Sequence, residues 1–236
     1  MGLVLDTVKI VENLVALISV DVVIDAVVDN GNSYTCETTD TQHLSVKRLI
    51  NIGGTDYRII GLEQDVSFTV EKLLGSAPDP TAQTVTLPPP FFINGTIISA
   101  KRELDNEDWK DKYPMVFLYE VYDETWIADK TNPIEFESRV RLFFMDQTRQ
   151  ADYTTADQYK EKVRPMRSLV KSFLDLVDSK KCSFGELQKD WRLKAWVNFG
   201  KFKAETGNIE AFFNDEVSGY ELTIDLPVKR TYLDSN

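Results

Sequence analysis

The chain has 236 residues, 42% of them hydrophobic and 28% charged, which excludes disorder throughout and fits one or two domains. A globule of this length hides roughly 70–75% of the surface of its unfolded chain, ample for a core without disulfide or metal staples. The net charge of −11 argues against a protein built to grip DNA or an anionic membrane, since that affinity comes from Lys and Arg neutralising phosphates.

The first predicted element is a helix. Asp6 and Thr7 can cap it, and Val8, Val11, Leu14, Val15 and Ile18 recur at helical spacing. The opening MGLVLDTVKIVENLVALIS has no basic n-region, and Asp6, Lys9 and Glu12 interrupt its apolar run. Neither a signal peptide nor a membrane span is expected there. From Ser19 to about Glu71 the texture changes to short β-rich runs. Val20 to Asp29 reads as a strand that stops at Asn30-Gly31-Asn32, a hairpin turn, and Ser33 to Thr39 returns. Leu49 to Ile52 runs into Gly53-Gly54, Thr55 to Leu62 comes back, and Ser67 to Val70 closes the set. These short strands predict a small β-barrel, inserted as a module over residues 19–72.

Two proline clusters follow, Pro78 with Pro80 and then Pro88-Pro89-Pro90, and they read as a linker and a sheet edge. Phe91 to Leu104 is predicted as a strand bent at Asn94-Gly95. Tyr113 to Trp126 contains PMVFLYEVY, apolar on both faces, which suits a central strand. Phe136 to Met145 is a further strand. Tyr159, Val163, Met166, Val170, Phe173, Leu174 and Val177 form one helical stripe, with Pro165 either kinking the helix or marking its first turn. Leu193, Ala195, Val197 and Phe199 alternate with Lys194, Trp196 and Asn198, so a strand is predicted. Leu222, Ile224, Leu226 and Val228 alternate with Glu221, Thr223 and Asp225, and an acidic loop around Asn214-Asp215-Glu216 lies between the two. That order predicts an α+β fold: a mainly antiparallel sheet covered by helices, built from residues 1–18 and 73–236 and interrupted by the barrel.

Catalytic signals are weak. The two cysteines, Cys36 and Cys182, lie far apart, and with one histidine, His43, they cannot assemble a structural zinc site. Cys36 with His43 is the nucleophile–base pair weighed, against an ordinary capping or core role for the histidine. The run Glu103, Asp105, Asn106, Glu107, Asp108 and Asp111 lacks the glycine and terminal glutamate of a calcium loop and reads as a solvated loop. Glu135 and Glu137 share a strand face, as pairs do in any acidic protein. No phosphate loop or nucleophile elbow occurs. No catalytic, cofactor-binding or metal residue is therefore expected, and no cofactor. Trp109, Trp126, Trp191 and Trp196 are expected to fill the core, while Phe91 and Phe92, beside the triple proline, are candidates for a subunit contact.

The succession YPMVFLYEVYDE, RVRLFFMDQTR, YKEKVRPMRSLVKSFLDLV and FFNDEVSGYELTIDLPVK resembles structural proteins of the head–tail region of tailed bacteriophages. The nearest in architecture are the tail terminator proteins. The resemblance covers about Phe91 to Arg230 with the first helix, and terminators lack a barrel as large as residues 19–72. It implies a non-enzymatic virion protein that forms a homo-oligomeric ring, a hexamer in that family, assembled in the host cytoplasm. The ring contacts the tail tube on one side and a neck or head-completion protein on the other, with DNA passing through unbound. Asn214, Asp215, Glu216, Leu222 and Ile224 are then candidates for subunit or lumen contact. Two other readings stand beside it. One is a different neck connector or a baseplate subunit whose barrel faces a receptor or carbohydrate, a reading that exposed aromatics on the barrel would favour and of which it has few, Tyr34, Tyr57 and Phe68. The other is a hydrolase using acidic residues.

Overall fold

Asp6 begins the first helix as the sequence predicts. Its carboxylate accepts from the Lys9 amide at 2.8 Å, satisfying a donor that the first turn leaves without an intrahelical partner. The helix, α1 (Thr7–Ala16), buries Ile10, Val11, Leu14 and Val15. The computed structural model describes residues 6–41, 43–72, 84–106, 112–119, 123–129, 131–148, 154–180, 184–185, 191–199, 201–203, 209–211 and 216–229.

After α1 the expected single strand over Val20–Asp29 is two strands. β1 (Val20–Val23) pairs with β7 (Thr84–Leu87), whereas β2 (Ala26–Asp29) pairs with β3 (Ser33–Glu37). The strand breaks because its halves serve different partners. Gly31 turns the β2–β3 hairpin at a φ of +87°, and its amide donates to the Asp29 carboxylate at 2.7 Å. With β4 (Leu49–Ile52), β5 (Thr55–Glu63) and β6 (Ser67–Lys72), these form a five-stranded sheet ordered β2-β3-β6-β5-β4, all antiparallel. Tyr34, Cys36, Tyr57, Ile59 and Phe68 fill its inner face, and Val22, Val85 and Leu87 of the β1–β7 ribbon join the same cluster. The strand path is open among the described residues, with β2 and β4 at its ends; no closed barrel is found.

The second body is α+β and mostly antiparallel. It comprises β8 (Phe91–Gly95), α2 (Ile97–Asn106), β9 (Met115–Tyr119), β10 (Asp123–Trp126) and β11 (Ile134–Thr148). Then come α3 (Thr155–Gln158), a π-helical turn (Tyr159–Val163), α4 (Arg164–Ser179), β12 (Arg192–Phe199), β13 (Lys201–Lys203), β14 (Ile209–Ala211) and β15 (Glu216–Lys229). The strand predicted over Phe91–Leu104 thus ends at Gly95. Thr96 Oγ1 accepts from the Ser99 amide at 2.9 Å and caps a helix, in which Ile97, Ala100 and Leu104 recur at helical spacing.

The six-stranded sheet runs β12-β15-β11-β9-β8, with β10 also on β11; only β8–β9 is parallel among these pairs. β11 and β15 form its long central ladder, from Ile134 opposite Lys229 to Thr148 opposite Glu216. One face carries α1 and α4, whose Ile10, Leu14, Met166 and Phe173 pack on Leu118, Phe144, Leu222 and Ile224. The other carries α2 over Met115, Phe117, Phe143 and Met145. β9 serves both faces, as PMVFLYEVY predicts for a central strand. β12 departs from its expected alternation. Its ladder to β15 shifts register between Trp196 and Phe199, and Asn198 has a φ of +93°. The shift sends Phe199 to the α2 face while Leu193 and Val197 stay under α4. Gly219 is fixed by packing, since a Cβ there would strike the backbone carbonyl of Phe144.

The helix predicted from Tyr159 is divided by its backbone. The π-helical turn passes directly into α4, and Pro165 is the second residue of α4, at the junction of the two. The π turn delivers Lys162, 1% exposed, into the joint between the two bodies. Its ammonium donates to Asp146 Oδ2 of β11 at 3.0 Å and to the carbonyl of Val46 in the module. A charge this deep is tolerated only when paired and hydrogen-bonded. Removing the anion alone should be severe: Asp146→Ala is expected to cost about 3–5 kcal/mol in urea denaturation. Asp146→Leu combined with Lys162→Met, which removes both charges, should cost far less in the same measurement.

Candidate functional site

Two clefts flank this joint. One lies beside α4, where the module's Leu62, Gln64 and Asp65 face Arg164, Arg167 and Leu174, and Trp191 and Leu193 close the β12 side. It is a groove of about 670 Å³. Arg164 reaches across and donates to the side-chain carbonyl of Gln64, tying helix to module. Tyr220 of β15 is buried, and burial together with its hydrogen bond with Tyr159 pushes its phenol up to about 12, against the opposing pull of Arg167. Glu161 sits nearby with its carboxyl raised, first by burial and then by Asp157, while Lys162, Lys160 and Lys47 oppose the rise. Trp191, at this cleft, keeps 43% of its surface in solvent.

The second cleft, about 730 Å³, lies on the other side of the joint. Pro88, Pro89 and Pro90 line it with Phe91, Phe92 and Tyr113, and Arg48, Asn51 and Asp56 supply the polar wall. Phe91 and Phe92 are both half-buried. Phe91 packs on the cluster under α2 and Phe92 on the cluster under α1 and α4, because successive strand residues point to opposite faces. Each therefore presents only part of its ring to this cleft.

The other sequence-derived candidates are dispersed. Leu222 and Ile224 are buried at 0% and 2% beneath α4, and β15 is paired on both sides by β11 and β12. These two candidates for subunit or lumen contact therefore have their side chains in the core. Glu216 is half-buried at the start of β15, opposite Thr148. Asn214 and Asp215 lie outside the described residues, as do Glu107, Asp108, Asp111, Trp109 and Cys182. Glu103 and Asp105 sit exposed on α2. Among the described residues no three of His, Cys, Asp or Glu are grouped to hold a metal ion, and no helix is long and apolar enough to cross a membrane. Tyr34, Tyr57 and Phe68 are all buried in the module, so these rings offer no platform to a sugar.

His43 belongs to the joint. Arg48, buried beside it, donates to the His43 carbonyl at 2.8 Å and to the Pro88 carbonyl at 3.3 Å. Burial pulls the Arg48 guanidinium down to about 10, with Asp146 opposing, and it stays charged at neutral pH. His43 Nδ1 and Ser45 Oγ are buried with no hydrogen-bond partner among the described residues. The sulfur of Cys36 lies within the module's own core, so the weighed nucleophile–base pair is not formed at Nδ1. What sequence reasoning missed is the joint itself and the groove beside α4; the one available signal was Lys162, a lysine in line with Met166, Leu169 and Phe173 on an apolar helical face.

Comparison with protein families, with characterised proteins and with solved structures finds no match.

The proton affinity of His43 lies below its ordinary value of 6.5, chiefly through burial, with Arg48 adding to the drop and Asp40 opposing it. Below that value the unfolded chain takes up a proton that the folded state resists. The stability contributed by neutral His43 is thus full above about pH 6.5 and is lost as pH falls toward the folded value. His43→Gln removes this titration. Urea unfolding at steps between about pH 7 and about pH 5 should show a shallower loss for the variant than for the parent.

Proposed function

We propose that the protein is a non-enzymatic structural subunit of a tailed-phage virion, forming a ring at the head-proximal end of the tail. The observation that carries this reading is the architecture of the second body: α1 and α4 on one face of a mainly antiparallel six-stranded sheet, in the element order that the resemblance to tail terminators rests on. The ring joins the tail tube to a neck or head-completion protein, and DNA passes through its lumen. A net charge of −11 suits that passage, because an acidic wall does not hold a polyanion. The mechanism is geometric. Subunits joined by heterologous contacts close a ring, which stops tube growth and offers a new surface to the neck. In this reading the five-stranded module with the β1–β7 ribbon is a partly open barrel carried on the ring's outer surface. Lys162, ion-paired with Asp146 and donating to the Val46 carbonyl, supports a scaffold role, since it ties that module to the sheet instead of leaving it on a loose tether.

The test is the mass of the purified protein by light scattering, with negative-stain images of the same sample. The expected result is an assembly several times the 27.0 kDa chain, seen as closed rings. A protein that stays monomeric at every accessible concentration overturns the reading.

A further inference from the structure

The helix-bearing face of the six-stranded sheet ends differently at its two sides. On the β12 side lies the groove beside α4, walled by Leu62, Leu174, Trp191 and Leu193. On the β10 side stands Trp126, 52% exposed. β10 pairs with β11 so that Trp126 lies opposite Phe136, and Phe136 is buried under the helices. Directly opposed residues of an antiparallel pair share a face, so the indole belongs to the helix-bearing face as well. It rests against the Phe136 ring, centroids 4.8 Å apart, and leaves about half its surface to solvent. Tryptophan is a large apolar side chain, and one held in place with so much of it uncovered is the kind of anchor that interfaces use.

We propose that the groove beside α4 takes the Trp126 indole of a second copy of this chain, joining subunits head to tail. Two observations lead there. The groove and the indole sit at opposite edges of one sheet, on the same face, so each subunit gives one and receives one. Such a contact is heterologous and generates a closed ring or an open filament. The groove, at about 670 Å³, has room for an indole together with its flanking strand, and its leucines and Trp191 offer apolar walls and a ring to stack on. Charge does not oppose the contact: Lys160, Arg164, Arg167 and Lys171 in the lining stand against Asp65, Glu161, Asp175 and Asp178, so Asp123 and Glu124, which precede Trp126, meet a wall of balanced charge. A guanidinium there can also lie over the indole face.

The inference rests on the ring reading and supplies the subunit contact which that reading leaves open. Self-association is measured by light scattering over a dilution series for the parent, Trp126→Glu, and Ser168→Trp, which fills the groove from α4. Each variant should weaken association about thirtyfold or more, as loss of an interface anchor does, with thermal melting close to the parent's. In a Cys182→Ser background, Trp126→Cys protein mixed with Ser168→Cys protein should give a disulfide-linked dimer that neither protein forms alone. If Trp126→Glu does not fold, Ser168→Trp and the cross-link decide. Rings that survive Ser168→Trp and give no cross-link overturn the inference and leave the ring reading standing. A parent chain that is monomeric throughout overturns both.

Discussion

An ammonium group with almost no contact to water holds the two bodies of this protein together. Lys162 reaches β11 through Asp146 and the module through the Val46 carbonyl, so one side chain addresses both. Low-dielectric surroundings strengthen each of these bonds and punish the loss of either partner. The π-helical turn presents Lys162 on its buried side, together with Val163. Arg48 repeats the theme from the module's side by donating to two carbonyls, one within its own loop and one in the proline segment that leads back to the sheet. Both cations bond to backbone oxygens. Those partners depend on chain path, and the loop over His43–Arg48 is held in shape by the same contacts that dock it.

That docking determines where the surfaces fall. With the module fixed against the end of α4, a groove must exist between the helix flank and strand β12, and a second cleft must exist where the proline segment turns back toward β8. Neither cleft belongs to one body alone. The sheet supplies rigidity between them: β11 and β15 are long, paired over most of their length, and covered on one face by α1 and α4. A rigid wall of this kind transmits position from one edge to the other, which a flexible linker of two domains could not provide.

The elements with one strong period were legible in the sequence. The alternation Leu222–Val228 and the stripe of α4 depend on burial of a single face, and local spacing records that directly. Other elements were not legible because their form is decided by partners distant in sequence. Val20–Asp29 reads as one strand until β7, more than fifty residues later, claims its first half. The helix α2 hid behind the β-branched run at Ile97-Ile98, whose preference was overridden by the Thr96 cap and by the apolar floor that α2 covers. Phe199 broke its own alternation because a single positive-φ residue, Asn198, shifts the register. As for the site, a lysine on an apolar helical stripe was visible, but its meaning was not, since Asp146 and Val46 come together only in the fold.

Association between copies is constrained by how the sheet's edge is made. An edge strand with a free, regular ladder invites strand addition, and natural proteins blunt it with charge, bulges and irregular backbone. β12 carries all three: Arg192 and Lys194 are exposed, the register slips before Phe199, and Asn198 takes a conformation that no regular strand uses. The Lys194 ammonium lies over the Trp196 ring at 3.8 Å, so that charge is held in place over the strand instead of swinging clear of it. Backbone pairing along this edge is disfavoured on each count. The attraction available on the same flank is then one of side chains, an apolar groove with mixed charge at its rim. That distinction has a structural consequence. A contact made through one indole and a shaped groove fixes the angle between neighbours by packing, whereas strand addition would fix it by sheet twist. Closing a ring of defined size requires the first kind of control, because the turn per subunit must be set independently of the sheet's own geometry.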